Sequence, residues 1–244
     1  MADAARAASD DIRQRVARAE GARLAADLDE WGFARLPGLL RPAECAALAA
    51  LFERDACFRS TVEMERHRFG VGRYRYFANP VPAAVRALRT HLYAALAPIA
   101  TRWEEALGTR VRYPPRWSAF RARCAAAGQR RPTPLLLRYT AGGYNCLHQD
   151  RYGEVAFPLQ VTIQLSRPGV DFGGGEFLLV EQRPRMQSRG SALALAQGEA
   201  VIFPNAERPA RGARGFFRTQ VRHGVSRVAW GTRVALGIIF HEAR

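Results

Sequence analysis

The sequence contains no lysine, so all 37 of its permanently basic side chains are arginines. Only four cysteines and five histidines occur in 244 residues. The cysteines are scattered without C-x-x-C spacing, so neither a disulfide framework nor a zinc ribbon is indicated. No run of 18 apolar residues occurs, and the N-terminal residues lack the apolar core of a signal peptide. We therefore expect reduced thiols, no membrane contact and a cytoplasmic location.

The arginines give the chain a formal net charge of +15, because acidic residues number only 22. The excess lies in three blocks: residues 51–100 hold 8 arginines against 4 acids, residues 101–150 hold 9 against 3, and residues 201–244 hold 8 against 2. Arginines that converge on one face would attract a polyanion such as nucleic acid, whereas scattered arginines would only keep the protein soluble. The composition leaves both interpretations open.

Hydrophobic periodicity divides the chain into a helical first half and a β-rich second half. Helical spacing predicts an amphipathic helix over 10–26, a second helix over 44–52 that follows Pro42, and further helices over 80–107. Residues 32–40 read as a short strand and turn. From about Pro134, short apolar runs between turn residues predict the strands LLLRY, FPLQVTIQLS, GEFLLVE, AVIFP and RVALGIIF.

These patterns predict an α+β fold in which a β-sandwich or jelly-roll core is supported by N-terminal helices. We expect one continuous domain with two parts. The first part, residues 1–107, would be a mainly helical support region, and the second, residues 108–244, would be the catalytic β core.

The segment LLLRYTAGGYNCLHQD carries the residues with the most chemistry. Alternation along an extended strand would place four of its side chains on one face, those of Tyr144, Cys146, His148 and Asp150. His148 and Asp150 can share one metal ion. A third ligand must come from elsewhere, and sequence position favours His223 among the remaining histidines, which are His67, His91, His223 and His241.

Two imidazoles and one carboxylate on one side of a metal leave three coordination positions open. This is how non-heme Fe(II) binds a bidentate cosubstrate together with dioxygen. Arg233, ten residues beyond His223 on an apolar strand, offers a permanently charged fork suited to a carboxylate. The pattern therefore predicts an iron site with an anchor for an acidic cosubstrate.

The sequence resembles the Fe(II)/2-oxoglutarate-dependent dioxygenases, with core motifs similar to those of prolyl hydroxylases. The resemblance rests on RYTAGGYNCLHQD, GGGEFLLV, QGEAVIF and RHGVSRVAWGTRVALGIIFH, in that order. It is closer still to a bacterial, AlkB-related family described as acting in oxidative demethylation of damaged DNA. The resemblance implies a double-stranded β-helix of the jelly-roll or cupin type, iron held by His148, Asp150 and His223, and 2-oxoglutarate held by Arg233.

Other residues are weaker candidates. Tyr139 reads equally as a core tyrosine and as a hydroxyl donor to 2-oxoglutarate, and Gln160 and Thr162 alternate on the next strand toward the same pocket. The segment 66–77 mixes arginines with aromatics, which suits phosphate contacts and base stacking in a substrate lid, although a hairpin that covers the core would alternate in the same way. The candidate substrate contacts are Arg73, Tyr74, Arg75, Tyr76, Arg183 and Arg185. No role follows for Cys146 or His241.

Three functions therefore remain in view. The first is oxidative demethylation of alkylated nucleic acid, with dioxygen as cosubstrate and a single-stranded or flipped-out base as substrate. The second is hydroxylation of a protein side chain or a small molecule, which the prolyl hydroxylase-like motifs favour. The third is a non-catalytic, basic nucleic-acid-binding protein on the same fold.

Overall fold

The computed structural model describes residues 2–19, 21–150 and 153–244. Its helices are α1 (Ala2–Ala17), α2 (Gly21–Glu30), α3 (Pro42–Ala50), α4 (Ala83–Ala106) and α5 (Trp117–Ala126). Its strands are β1 (Ala34–Leu36), β2 (Phe58–Glu63), β3 (Gly70–Val71), β4 (Arg73–Phe77), β5 (Leu135–Thr140), β6 (Tyr144–His148), β7 (Leu159–Gln164), β8 (Phe172–Gly174), β9 (Phe177–Gln182), β10 (Arg189–Leu193), β11 (Ala200–Pro204), β12 (Glu207–Gly212), β13 (Gly215–Val225) and β14 (Val228–Ile239).

Two antiparallel sheets form the core. The larger sheet has the order β1-β11-β7-β14-β5-β4-β2, with β8 paired to β14, and the smaller has the order β10-β9-β13-β6-β3, with β12 paired to β13. Along the chain, the strands from β5 onward pass repeatedly between the two sheets. This winding is the double-stranded β-helix, or jelly roll, that the sequence resemblance implied.

Apolar side chains from both sheets meet between them. Phe177 of β9 and Phe203 of β11 pack with ring centroids 4.6 Å apart, and the same cluster includes Leu179 and Val221. Each of these strands alternates buried and exposed positions or is buried on both faces. The sheets therefore hold a fixed spacing, and strand register decides which side chains face the gap between them.

The helices cover the outer face of the larger sheet. The longest, α4, buries the predicted apolar stripe of Val85, Leu88, Leu92, Leu96, Ile99 and Trp103. These residues belong to one cluster with Leu136, Ile163 and Leu236 of the sheet. None of the helices in the described part of the chain is long and apolar enough to span a bilayer.

The structure corrects several sequence-based boundaries. The helix predicted over 10–26 is two helices, α1 and α2, and residue 20 between them lies outside the described residues. The first half is also less helical than expected, because β2 and β4 extend the larger sheet beside β5. Helix α5 and strands β10, β12 and β13 were not predicted. The division into parts at residues 107 and 108 stays a prediction.

Candidate active site

His148 and His223 face each other across two neighbouring strands, because they are register partners between β6 and β13. Their ring centroids lie 4.2 Å apart. Asp150 follows β6, and its backbone N–H donates to the carbonyl of Asn205, which holds the residue beside both rings. Its carboxylate oxygens lie 3.7 Å from His148 Nε2 and 3.3 Å from His223 Nε2. The structure thus brings together the three predicted ligands.

The backbone of β6 fixes the tautomer of His148. Its Nδ1 lies 2.8 Å from the carbonyl oxygen of Cys146. Because a carbonyl only accepts, Nδ1 carries a proton and donates it, and Nε2 is the nitrogen that remains to bind a metal. A histidine held in this way presents Nε2 to a metal with its ring orientation set in advance.

The protonation states of the other two side chains suit metal binding. Burial acts to raise the pKa of Asp150, but the hydrogen bond with His223 and the electrostatic interactions with the two histidines lower that pKa to about 2. Burial lowers the pKa of His223, although Asp150 opposes the shift. At neutral pH the site therefore presents a carboxylate and a neutral buried imidazole.

Arg233 is a buried cation on the same cavity. It lies on β14 as the register partner of Tyr139, its side chain is only 2% exposed, and its Cζ lies 5.7 Å from the Tyr139 ring centroid. Among the described residues, no carboxylate pairs with the guanidinium, and Nε has no hydrogen-bond partner. Burial lowers the pKa of Arg233 to about 10, so the group stays charged at neutral pH.

A glycine makes room for this arginine. Gly175 has a φ of +67°, and a Cβ at that position would lie 2.9 Å from Arg233 Cδ. A side chain there would push against the stem of the guanidinium as well as strain the backbone. The local geometry therefore preserves a buried position for an unpaired cation, which an anionic ligand would stabilise.

The residues present fit iron and 2-oxoglutarate. Two imidazole nitrogens and one carboxylate are the donor set of the non-heme Fe(II) oxygenases, and they leave positions open for other groups. Arg233 offers the bidentate donor that a carboxylate of 2-oxoglutarate requires. All four side chains line one cavity of about 480 Å³, a volume suited to a small ligand.

Tyr139, Gln160 and Thr162, predicted as cosubstrate contacts, line this cavity as well. Tyr139 is fully buried, and burial raises its pKa to about 12, so its hydroxyl keeps its proton. The Gln160 amide nitrogen lies 3.5 Å from His223 Nε2. The positions agree with the predicted roles, and the roles themselves stay predictions.

The tyrosines of the predicted substrate segment reach the cavity. Tyr74 and Tyr76 both line it, and they contact each other edge to face with ring centroids 5.5 Å apart. Both lie on β4, which pairs with β5 at the edge of the larger sheet. They form an aromatic wall beside the cavity.

The arginines of the same segment lie elsewhere. Arg75 donates to Asp55 at 2.7 Å, and Arg73 pairs with Glu63 at 2.5 Å. Neither arginine lines the cavity, because a strand sends alternate side chains to opposite faces. The structure therefore places the tyrosines, and not Arg73 and Arg75, where a substrate in this cavity would contact them.

Arg183 and Arg185 are also outside the cavity lining. Arg183 donates to Glu181 at 2.7 Å, and Glu181 accepts from the buried Arg208 as well. Arg185 lies in an exposed turn with a φ of +60°. The prediction that these two residues border the site is therefore not supported by their positions.

The cavity mouth contains two residues of the predicted substrate segment 66–77, Arg68 and Phe69, and two residues for which no role was predicted, Leu147 and Gln149. All four line it, and Phe69 and Leu147 are 47% and 44% exposed. The turn with Phe69 is fixed to the ligand strand, because the Cys146 N–H donates to the Phe69 carbonyl at 2.8 Å. Phe69 lies among arginines in the sequence, but only the pairing of β3 with β6 brings it to the metal ligands.

Comparison with known proteins agrees with this geometry. A family model for an oxygenase, described as catalysing oxidative methylation of damaged DNA, matches residues 72–243. The chain belongs to this oxygenase family. Proteins from two strains of Mycobacterium tuberculosis, each named an uncharacterised protein, are 48% identical over 167 residues, which cover 68% of this chain and 72% of theirs.

Solved oxygenases share the fold at low sequence identity. A 2OG-Fe(II) oxygenase-family oxidoreductase from Burkholderia pseudomallei matches with a TM-score of 0.53 at 20% identity, over 91% of this chain and 92% of that one. A Trichoplax adhaerens prolyl hydroxylase matches with a TM-score of 0.57 at 14% identity, over 95% and 92%. The epimerase SnoN, solved with Fe3+ and alpha ketoglutarate, matches with a TM-score of 0.54 at 16% identity, over 91% and 83%. The predicted jelly-roll fold is therefore confirmed, and the family is an oxygenase family.

Proposed function

We propose that this chain is an Fe(II)- and 2-oxoglutarate-dependent oxygenase that removes methyl groups oxidatively from alkylated nucleic acid. One observation carries the proposal. The group of His148, Asp150 and His223 and the buried, unpaired Arg233 guanidinium meet on a single cavity. A metal donor set and a carboxylate anchor on one cavity are the two requirements of this chemistry.

Each side chain has a defined task in this proposal. His148, Asp150 and His223 would hold iron through Nε2, a carboxylate oxygen and Nε2, and Arg233 would bind the far carboxylate of 2-oxoglutarate. Bound iron, 2-oxoglutarate and dioxygen together supply the oxidation of a substrate C–H bond, with release of succinate and carbon dioxide.

The surroundings of these side chains support the tasks proposed for them. Burial of Arg233 and of the inner cavity wall excludes water, which strengthens the attraction between the guanidinium and a carboxylate. The bond from His148 Nδ1 to the Cys146 carbonyl keeps the imidazole oriented before any ligand arrives.

Nucleic acid is the substrate class that the observations favour. The family description names damaged DNA, and oxidation of an N-methyl group is a reaction that an oxygenase can perform on such DNA. Tyr74 and Tyr76 offer aromatic faces beside the metal group for stacking with a base. The net charge of +15 supplies attraction for phosphates. A methyl group inside a duplex is out of reach, so the base must be single-stranded or flipped out.

The chemistry balances without a further reagent. Insertion of one oxygen atom into the methyl C–H bond gives an N–CH2OH group, and the other oxygen atom enters succinate. The N–CH2OH group then loses formaldehyde, and the base nitrogen takes the proton of the departing hydroxyl. The products are the unmodified base, formaldehyde, succinate and carbon dioxide.

Formaldehyde release tests the proposal. Protein loaded anaerobically with Fe(II) is given 2-oxoglutarate, oxygen and N-methylated single-stranded DNA, with unmethylated DNA of the same sequence as the control. We expect formaldehyde only with the methylated strand, in amounts equal to the extra succinate. Succinate formation that neither DNA changes would overturn the nucleic-acid substrate while leaving the oxygenase intact.

Hydroxylation of a protein side chain or small molecule is the second candidate, because prolyl hydroxylases are among the proteins with this fold. The same assay distinguishes it when proline-containing peptides replace DNA. Peptide-dependent succinate without formaldehyde would favour this reaction.

We also propose a cytoplasmic location, since all four cysteines are free in the structure, as expected in a reducing compartment.

A further inference from the structure

The hairpin of β12 and β13 carries exposed cations that the catalytic proposal does not use. Arg211, Arg214 and Arg222 are exposed, and none of them pairs with an acid among the described residues. Residues 201–244 contain 8 arginines and 2 acids, and both acids are engaged: Glu207 pairs with Arg218, and Glu242 is buried against Arg89. The hairpin surface therefore has three uncompensated positive charges.

Strand alternation and register place Arg222 and Arg211 on one face of the hairpin, and Arg214 lies in the turn that joins its two strands. Along β13, Thr219, Val221 and His223 are buried toward the space between the sheets, and the residues between them are exposed. The exposed series is Phe216, Arg218, Gln220 and Arg222. Phe216 is 52% exposed and is the register partner of Arg211 on β12. An aromatic face and cations therefore share the outer face of one strand.

This outer face is continuous with the cavity. Gln149 lines the cavity and donates through its side-chain amide to the Gln220 side-chain oxygen at 2.9 Å. The buried face of the same strand carries His223, a predicted iron ligand. At roughly 3.3 Å per residue, Phe216 lies about 23 Å along the strand from His223, a span of several nucleotides.

We propose that the outer face of this hairpin, defined by Arg211, Arg214, Phe216 and Arg222, binds the backbone of single-stranded nucleic acid that leads away from the cavity. The inference rests on the proposed function for its substrate class. Unpaired arginines attract phosphates, and an exposed phenyl ring stacks on any base regardless of sequence. Arg218 is not part of the surface, because Glu207 already occupies it.

Direct binding of unmethylated DNA tests the surface without any turnover. A fluorescently labelled single-stranded oligodeoxynucleotide is titrated with the wild-type protein and with a triple variant, Arg211→Ser, Arg214→Ser and Arg222→Ser. In the triple variant we expect the dissociation constant to rise at least about tenfold. A plot of the logarithm of the association constant against the logarithm of the salt concentration has a negative slope, and we expect that slope to be shallower by about 2, or roughly 0.7 for each lost phosphate contact.

A matched variant removes the same charge elsewhere. Arg86, Arg116 and Arg130 are exposed and pair with no acid among the described residues, so their replacement by serine also lowers the net charge by three. We expect this variant to keep both the wild-type affinity and the wild-type salt slope. Equal losses in the two triple variants would reduce the effect to overall charge and overturn the proposal. Thermal unfolding of all three proteins shows that each is folded.

Phe216 provides an independent test of base stacking. Phe216→Ala should weaken single-stranded DNA binding by about tenfold, whereas Phe216→Trp should retain or strengthen it, because stacking needs only an aromatic face.

Polyglutamate is the competing polyanion. If it binds as tightly as DNA and loses affinity equally in the arginine variant, the surface recognises acidic chains and not nucleic acid. None of these binding experiments requires oxidation of a methyl group. Their results can therefore be interpreted even if the demethylase proposal fails.

Discussion

Arg233 is a buried, charged side chain that forms no ion pair with a carboxylate of the described residues. Removing one partner of a buried charge pair costs about 2–5 kcal/mol. Arg233→Gln should therefore weaken 2-oxoglutarate binding by about a hundredfold, equal to about 3 kcal/mol, as measured by calorimetric titration. Arg227→Gln, at an exposed arginine just before β14, is the control and should bind normally. Binding of 2-oxoglutarate within about threefold of wild type in Arg233→Gln would refute the anchor.

The site residues that could be predicted from the sequence were those whose assignment depended on nearby residues in the chain. His148 and Asp150 lie two positions apart, and the assignment of Arg233 needed only a cation on an apolar strand. Sequence position favoured His223 among the remaining histidines, and the family resemblance implied the same role, although RTQVRHG itself was not predicted as a strand. In the structure the polar residues of this segment are the exposed face of β13, and only every second residue is buried.

Phe69 lies in the segment 66–77 that was predicted as a possible substrate lid, whereas Gln149, between two predicted metal ligands, was given no role. Both reach the cavity through pairings between segments far apart in the chain, β13 with β6 and β3 with β6. Local patterning contains no information about such partners. Arg75 shows the opposite case, because it lies one residue from both Tyr74 and Tyr76, and the alternation of side chains along a strand already implied a different face.

At the scale of elements, the turn before β9 shapes the anchor site. Gly175 and Gly169 both have positive φ, but a Cβ at Gly175 would meet Arg233 and Val228 while one at Gly169 would meet nothing within 4 Å. Gly169→Ala should cost about 1 kcal/mol of unfolding free energy from backbone strain alone, and Gly175→Ala about 2–4 kcal/mol. Urea unfolding measures both.

The Gly169→Ala and Gly175→Ala variants also distinguish the effect of backbone strain from an effect on 2-oxoglutarate binding. Because only Gly175→Ala displaces the Arg233 stem, only that variant should weaken 2-oxoglutarate binding. Equal affinity for 2-oxoglutarate in the two variants would mean that the turn does not position the guanidinium.

Strands rich in apolar residues were predicted well, since β5, β7, β9, β11 and β14 all overlap the expected runs, although β14 begins five residues before its predicted start at Arg233. Segments 58–63 and 73–77 were assigned to the helical half although they form β2 and β4. Their stability comes from pairing beside β5 at the sheet edge, a tertiary effect that propensity does not contain.

At the scale of the whole molecule, the C-terminal segment joins the helices to the sheets. Arg89 of α4 donates to the carbonyls of Phe240 and His241, and the Phe157 N–H donates to His241 Nδ1 at 3.3 Å. His241 is 1% exposed, and burial, with a smaller effect of Arg89, lowers its pKa to about 4. The sequence left this histidine without a role, and its position makes it part of the packed core.

That pKa predicts a loss of stability in mild acid. The unfolded chain takes up a proton at His241 as the pH falls through about 6.5, whereas the folded chain does so only near 4, so unfolding becomes easier across that window. Between pH 7.5 and pH 5 the contribution lost is about 2 kcal/mol. Urea unfolding at both pH values should show this loss in the wild type, and a loss smaller by that amount in His241→Gln. Identical losses in the two proteins would contradict the assignment.

His148, Asp150 and His223 are the residues that we propose to hold the iron at which 2-oxoglutarate is consumed. The most direct measurement is succinate formation from 2-oxoglutarate and oxygen by Fe(II)-loaded protein without substrate, in the wild type and in His148→Ala, Asp150→Ala and His223→Ala. We expect slow, iron-dependent succinate formation in the wild type and none above background in each variant. Full succinate formation in any of the three variants would contradict the ligand assignment, and its absence from iron-loaded wild-type protein would contradict the oxygenase itself.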